Sequence, residues 1–151
     1  MSNLDFSKLT PFTIPEESPG FLLWKASTLW RRAIEASLNS LHLTHPQFVV
    51  LATIGWLTKE KKHVRQIEIA KQAGLDPNTT SQILDGLQTK KLITRKKRED
   101  ERSKYPILTE LGIEILKKAF PAIESVNHSF FSKVPYKELD FLTTLQKLVS
   151  S

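Results

Sequence analysis

The chain has 151 residues, of which 40% are hydrophobic, and this suits one compact domain with a core of its own. It has no cysteine, which excludes disulfides, thiolate catalysis and cysteine-based metal or redox sites, and it has no apolar run long enough to predict a membrane span. The formal net charge is +6, and residues 90–104 hold eight Lys or Arg residues against three acidic ones, a net charge of +5 in one segment. A polyanion is therefore the expected partner.

The N-terminal 20 residues contain three prolines, Pro11, Pro15 and Pro19, which disfavour a continuous helix. They predict an extended arm, and they lack the pattern of a secretory signal, so we expect a cytoplasmic protein. From residue 21 onward, apolar residues recur at steps of three and four. This spacing predicts a first helix over residues 21–41.

The second helix is marked by its first residues. Thr44-His45-Pro46-Gln47 has the T-x-x-Q form of a capping box, so a buried helix should follow and run to about residue 58. The polar run at residues 59–63 predicts a turn, and residues 63–65 are a possible very short strand.

Residues 66–89 have the pattern of a helix-turn-helix. A short helix over residues 66–74 should end at Gly74, and Asp76 and Pro77 are suited to cap and begin the next helix at once. Two short helices joined by a tight turn that contains glycine are typical of this motif. The second of them is the candidate reading helix.

The reading helix divides into two faces at about 100° per residue. Thr80, Ile83, Leu84 and Leu87 should pack inward, and Asp85 faces outward, where we place it at the edge of a DNA groove. Gly86 is unfavourable in the middle of a helix and suggests close packing there. The outward side chains that could bond bases or phosphates are Asn78, Thr79, Ser81 and Gln82.

Two strand-like runs, residues 92–95 and 105–108, flank a basic tip. A helix-turn-helix followed by a basic hairpin predicts a winged helix whose wing contacts DNA, although a charged run in isolation is often only a solvated turn. The wing and the residue before it supply these candidate DNA contacts: Lys91, Arg95, Lys96, Lys97, Arg98, Asp100, Arg102 and Lys104.

A further helix should begin after Thr109 and reach residue 131, kinked or split by Pro121. A last helix is predicted over residues 136–149. Together with the first helix, these two provide more apolar surface than a winged helix needs, which predicts a homodimer.

The expected fold is therefore mainly α, a winged helix-turn-helix with a small β-hairpin wing and flanking dimerisation helices. We treat the chain as one domain with a DNA-binding region at residues 48–109 and dimerisation helices at residues 21–47 and 110–151.

These motifs together resemble the MarR (multiple antibiotic resistance regulator) family. The resemblance covers about residues 21–149. It includes the L-T-x-x-Q-[FW] opening at residues 43–48 and, most specifically, D-x-R-[SA]-K at residues 100–104 followed by L-T-x-x-G at residues 108–112. Three residues depart from the usual pattern: Arg65, Lys91 and Pro106.

The resemblance implies a homodimeric transcriptional regulator on a near-palindromic operator, most often a repressor. By position, Arg102 would enter a minor groove and Asp100 would hold it in place. Many relatives respond to a small aromatic or anionic effector, and the candidate pocket residues in this chain are Trp24, Trp30, His42, His45 and Trp56. These five could instead serve only packing.

Other functions are weaker interpretations. His42 and His45 form an H-x-x-H pair, but the pair straddles a helix cap and no third ligand is evident, so we expect no metal and no cofactor. The chain lacks a G-x-S-x-G motif, a P-loop and a paired-carboxylate motif, so we expect no enzyme. The remaining alternative is a winged-helix protein–protein interaction module without specific DNA binding.

Overall fold

The computed structural model describes residues 3–60, 63–97, 104–135 and 138–150. Within these residues, six α-helices and one antiparallel hairpin follow each other in the order α1 to α4, β1, β2, α5 and α6. The helices are α1 (Pro19–Leu38), α2 (His45–Leu57), α3 (Gln66–Ala73), α4 (Pro77–Thr89), α5 (Glu110–Phe131) and α6 (Glu138–Val149). The strands are β1 (Ile93–Lys97) and β2 (Lys104–Leu108). The predicted mainly α winged helix-turn-helix is confirmed.

The arm before α1 contains two short 3-10 turns, Phe6–Lys8 and Pro15–Glu17, in place of a fully extended chain. Helix α1 begins two residues earlier than predicted, because Pro19 lies in its first turn, where a proline costs no backbone hydrogen bond. The Ser18 hydroxyl caps this end by accepting a bond from the Phe21 amide at 3.3 Å. A third 3-10 turn, Asn39–Leu41, follows α1.

Helix α2 lies at the centre of the molecule and contacts α1, α3, α4, α5 and β2. Its predicted capping box is confirmed: the Gln47 amide donates to the Thr44 hydroxyl and the Thr44 amide donates to the Gln47 side chain, both at 3.2 Å. The central position explains why α2 is apolar on all sides. The fully buried side chains around it include Ile34, Leu38, Val50, Leu51, Ile54, Ile69, Leu84, Leu87 and Ile93.

The predicted strand at residues 63–65 is wrong. In the described residues the sheet has two strands, β1 and β2, and neither pairs with this segment. Val64 is instead buried in the core, and Arg65 is the residue before the first turn of α3. The Arg65 amide donates to the Glu68 carboxylate at 2.8 Å, so the Glu68 side chain satisfies the backbone amide of the residue that precedes α3.

Helix α5 runs without interruption through Pro121, so this proline does not split it. Helix α6 packs on α5 through Phe141, whose ring centroid lies 5.6 Å from that of Phe131. In the described part of the chain, no helix combines the length and the apolar character that a membrane span needs.

Candidate nucleic-acid interface

The start of the reading helix α4 is fixed by a turn and a cap. Gly74 adopts the left-handed φ of 68° that the tight turn after α3 requires. The Asp76 carboxylate then accepts from the Thr79 amide at 2.8 Å and from the Thr79 hydroxyl at 2.5 Å, and these bonds lower the pKa of Asp76. The Thr79 hydroxyl, a candidate DNA contact, is therefore already engaged in the helix cap.

The two faces of α4 are as predicted. Thr80, Leu84 and Leu87 are fully buried, whereas Asn78 and Gln82 are exposed on the opposite side. Ser81 is half-buried beside them. The helix thus presents two amide side chains to solvent with their hydrogen-bonding groups unobstructed by the core, which is what base reading in a major groove requires.

Helix α4 packs closely against α2, as Gly86 suggested. A Cβ at Gly86 would lie 3.0 Å from the Nε2 atom of the Gln47 side chain. The Lys90 ammonium donates to the Gln47 side-chain oxygen at 2.7 Å and to the His42 carbonyl at 2.6 Å. Lys90 therefore fastens the end of α4 to the start of α2 and differs from the free lysines of the wing.

The junction between α4, the wing and α5 explains the L-T-x-x-G motif. The Thr109 amide donates to the Leu92 carbonyl at 3.1 Å, and the Thr109 hydroxyl donates to the Lys91 carbonyl at 2.7 Å. Gly112 lies so close to Leu92 that a Cβ would stand 2.1 Å from the Leu92 carbonyl oxygen. Lys91, one of the three departures from the family pattern, has a left-handed φ of 61°. The motif thus fixes where the wing leaves the reading helix.

The wing strands extend two residues further toward the tip in β1, and one residue further in β2, than the sequence predicted. Pro106 pairs with Arg95 in a two-stranded sheet, in which both strands are edges, so the missing amide donor is tolerated. Lys97 and Lys104 are direct partners across the strands, and both are exposed. Like charges opposite each other destabilise a hairpin, and an anion bound there would relieve the repulsion.

The other exposed cation of β1 is Lys96. Arg95 differs from these lysines, because its guanidinium contacts the Asp85 carboxylate on α4 at 2.9 Å. This ion pair shows that the wing strand lies beside the polar face of α4. Three predicted wing contacts, Arg98, Asp100 and Arg102, lie outside the described residues.

The five candidate effector residues do not form one site. The Trp30 and His45 rings meet edge to face with centroids 5.1 Å apart, and the Trp30 indole donates to Asn127 of α5 at 2.9 Å. Trp24 is 73% exposed, and Trp56 is 64% exposed beneath the Lys59 ammonium, 4.6 Å from the ring centroid. His42 is exposed, with a left-handed backbone. Of the five residues, Trp30 on α1 and His45 on α2 contact each other, and Trp30 also bonds to α5.

The sequence interpretation missed Asn127, although a signal was present. Asn127 lies one helical turn after Ile123, so it is a polar residue inside the apolar stripe of α5. Next to the Trp30 ring is an apolar cavity of about 360 Å³ between α1, α5 and α6, lined by Leu23, Ala26, Ser27, Trp30, Phe130, Phe131, Phe141 and Leu145.

His45 is 8% exposed, and burial lowers its pKa. Glu35 opposes this shift and Arg31 adds to it. As the pH falls below 6.5, the His45 imidazole should therefore bind a proton more readily in the unfolded chain than in the folded protein. The folded state should lose stability progressively as the pH falls further.

We expect His45→Gln to flatten the decrease in Tm between about pH 7 and 5, because the variant has no imidazole at this position. Thermal unfolding at several pH values tests this. A wild-type dependence retained in His45→Gln would contradict this assignment.

The chain is similar in sequence to known transcriptional regulators. The sequence matches the MarR family over residues 43–104. It is 34% identical over 139 residues to the uncharacterized HTH-type transcriptional regulator YdcH of Bacillus subtilis, covering 91% of this chain and 94% of the relative.

Two solved structures are similar in fold. CouR from Rhodococcus jostii RHA1 bound to p-coumaroyl-CoA has a TM-score of 0.77 at 22% identity, covering 91% of this chain and 95% of that one. The S. aureus MepR–DNA complex has a TM-score of 0.77 at 21% identity, covering 89% and 96%. The fold, the L-T-x-x-G junction and the sequence relationship lead to one conclusion: the chain belongs to the MarR family of transcriptional regulators.

Proposed function

We propose that this protein is a homodimeric transcriptional regulator that binds a specific double-stranded DNA site in the cytoplasm and has no catalytic activity. The observation that carries the proposal is the contact of 2.9 Å between Arg95 and Asp85. This contact brings strand β1 beside the exposed face of α4 that carries Asn78 and Gln82. Base-reading groups and phosphate-binding groups are therefore adjacent on one surface.

In this proposal α4 enters a major groove. Asn78 and Gln82 read base edges, and Ser81 bonds the DNA backbone or a base edge near the start of the helix. Thr79, whose hydroxyl proton is donated to Asp76, holds the start of the helix and has only acceptor capacity left for a base edge. Lys91, Lys96, Lys97 and Lys104 bind phosphates, and Arg98 adds to them. At the tip, Arg102 braced by Asp100 enters the minor groove, where a narrow groove concentrates negative potential.

Dimer formation is supported by the apolar surface that α1 and α6 leave exposed. The exposed residues on these two helices are Phe21, Leu22, Leu23, Trp24, Leu29, Leu142, Leu148 and Val149. Apolar patches of this kind usually mark an interface. A two-fold dimer would place two copies of α4 in successive major grooves about 10 base pairs apart, on a near-palindromic site. Binding of this kind across a promoter would repress transcription.

An effector site is proposed where α1, α2 and α5 meet. Trp30 and His45 provide an aromatic wall there, and the apolar cavity of about 360 Å³ adjoins it. A small aromatic or anionic effector is the proposed ligand, and the structurally similar CouR is bound to p-coumaroyl-CoA. A ligand changes DNA affinity only if it favours one spacing of the two reading helices over another.

Selection of bound sites from random DNA tests the function directly. We expect enrichment of two inverted half-sites whose centres lie about one helical turn apart. Absence of any enriched sequence would contradict the proposal. It would favour the alternative, a winged-helix module for protein–protein contact, which should bind DNA only weakly and without sequence preference at physiological salt.

Lys96→Ala should weaken binding to the selected site and to scrambled DNA alike. Removal of one phosphate contact reduces the slope of log affinity against log salt concentration by about 0.9. Fluorescence-anisotropy titrations at several salt concentrations measure this slope. The control is Lys118→Ala, which removes an exposed lysine on α5 and should keep the wild-type slope. A loss confined to one DNA sequence would refute the phosphate assignment of Lys96.

A further inference from the structure

Asp85 is a carboxylate on the surface that the proposed function turns toward DNA. It lies on the same face of α4 as Asn78 and Gln82, and its side chain is 64% exposed. DNA is a dense array of negative charge, so a free carboxylate there disfavours binding. Helix geometry and core packing do not require an acidic residue at this exposed position. We therefore expect Asp85 to have a role in DNA binding.

The partner of Asp85 gives that role. The Arg95 side chain on β1 is only 21% exposed, and its Nη1 atom lies 2.9 Å from the Asp85 carboxylate. The Arg95 Nη2 atom is buried, and no acceptor for it exists in the described part of the chain. The guanidinium is thus covered and held in one direction by Asp85, whereas Lys96 and Lys97 next to it are exposed.

We propose that Asp85 determines specificity by keeping Arg95 from pairing with the phosphates of non-cognate DNA. This inference rests on the proposed function, because it concerns the same DNA-binding surface. Asp85 acts through Arg95 and is therefore a positioning residue. The ion pair also ties the wing strand to α4, so the phosphate contacts and the reading face keep one relative arrangement.

The two kinds of DNA respond differently for a physical reason. Affinity for non-cognate DNA comes almost entirely from phosphate contacts and counterion release, so each additional free cation strengthens it directly. At a cognate site the base contacts of α4 fix how the protein docks, and a wing held in place by the ion pair already fits that arrangement. Neutralising Asp85 should therefore favour non-cognate DNA more than cognate DNA.

The test uses Asp85→Asn, which preserves the shape of the side chain and removes its charge. Anisotropy titrations of the full-length protein against the selected site and scrambled DNA give both affinities and both salt slopes. We expect the slope on scrambled DNA to steepen by about 0.9 and the ratio of cognate to scrambled affinity to fall roughly three- to tenfold. Asp85→Glu, which keeps the charge, should retain most of the wild-type ratio.

Two further variants separate this mechanism from a general effect of charge. In an Arg95→Gln background, Asp85→Asn removes only the repulsion of an unpaired carboxylate, so it should strengthen binding to both kinds of DNA alike and leave the ratio of cognate to scrambled affinity unchanged, because no guanidinium remains to be released. Glu114→Gln removes a negative charge that is also paired, with Lys117 at 2.9 Å, but on α5, and it should leave the affinity ratio at the wild-type value.

Two outcomes would overturn the inference: an unchanged slope and ratio in Asp85→Asn, or a fall in the ratio of cognate to scrambled affinity that is equally large without Arg95. These differ from failure of the proposed function, in which the wild-type protein itself would show no preferred DNA site.

Discussion

Replacement of Gly112 by alanine is expected to lower the free energy of unfolding by about 1–3 kcal/mol or more. The new Cβ would stand 2.1 Å from the carbonyl oxygen of Leu92 and 3.1 Å from its carbonyl carbon. Both are backbone atoms, so no side-chain rotation relieves the clash, and α5 must move away from the junction. This movement would also strain the two hydrogen bonds that Thr109 makes to Lys91 and Leu92.

Urea denaturation followed by circular dichroism measures this loss. Gly20→Ala is the matched control, because its Cβ would find only the Ser18 hydroxyl oxygen, at an ordinary distance of 3.8 Å. Since alanine is favoured over glycine in a helix by up to about 1 kcal/mol, the control should be as stable as the wild type or more stable. Equal stability of Gly112→Ala and the wild type would mean that α5 does not approach Leu92 this closely.

The parts of the fold that the sequence predicted well depend on short-range chemistry. The Thr44–Gln47 capping box, the Gly74 turn and the Asp76 cap each involve residues within four positions of one another, and each occurs as predicted. The buried face of α4 follows from helical periodicity alone. In such cases one physical cause acts within one turn of backbone, and the sequence contains all of it.

The errors arise where distant segments decide the outcome. Strand β1 extends to Lys97 because a partner strand returns from the wing, and the composition of a basic segment does not predict that pairing. Residues 63–65 looked like a strand, but Val64 is drawn into the core and no strand lies beside it in the described residues. Of the two outcomes expected at Pro121, a kink or a split of the helix, the split does not occur.

The candidate site shows the same division. The exposed residues of α4 could be predicted from their positions on one helix, but the pairing of Asp85 with Arg95 joins a helix to a strand. Likewise, Trp30, His45 and Asn127 come together from three helices, and only the first two were named beforehand as candidates. Residue type identified which side chains could act, and the tertiary contacts decided which of them act together.

Gln82→Ala is expected to weaken binding to the selected DNA site by roughly 1–3 kcal/mol, the value of one good side-chain contact with a base. Gln82 is exposed on the same face of α4 as Asn78, and the glutamine amide can bond an adenine edge in two places. Affinity for scrambled DNA should change little, because phosphate contacts remain. Repeated site selection with the variant should lose its preference at one base position in each half-site.

Gln88→Ala supplies the matched control on the same helix. Gln88 is also an exposed glutamine, but at about 100° per residue it points about one third of a turn away from Gln82. Its loss removes the same chemical group without removing a base contact, so affinity and selected sequence should both remain as in the wild type. If the two variants lose affinity equally, α4 does not present the Asn78–Gln82 face to DNA. If only Gln82→Ala loses affinity but the selected sequence is unchanged, Gln82 contacts the phosphate backbone and the bases are read by other residues.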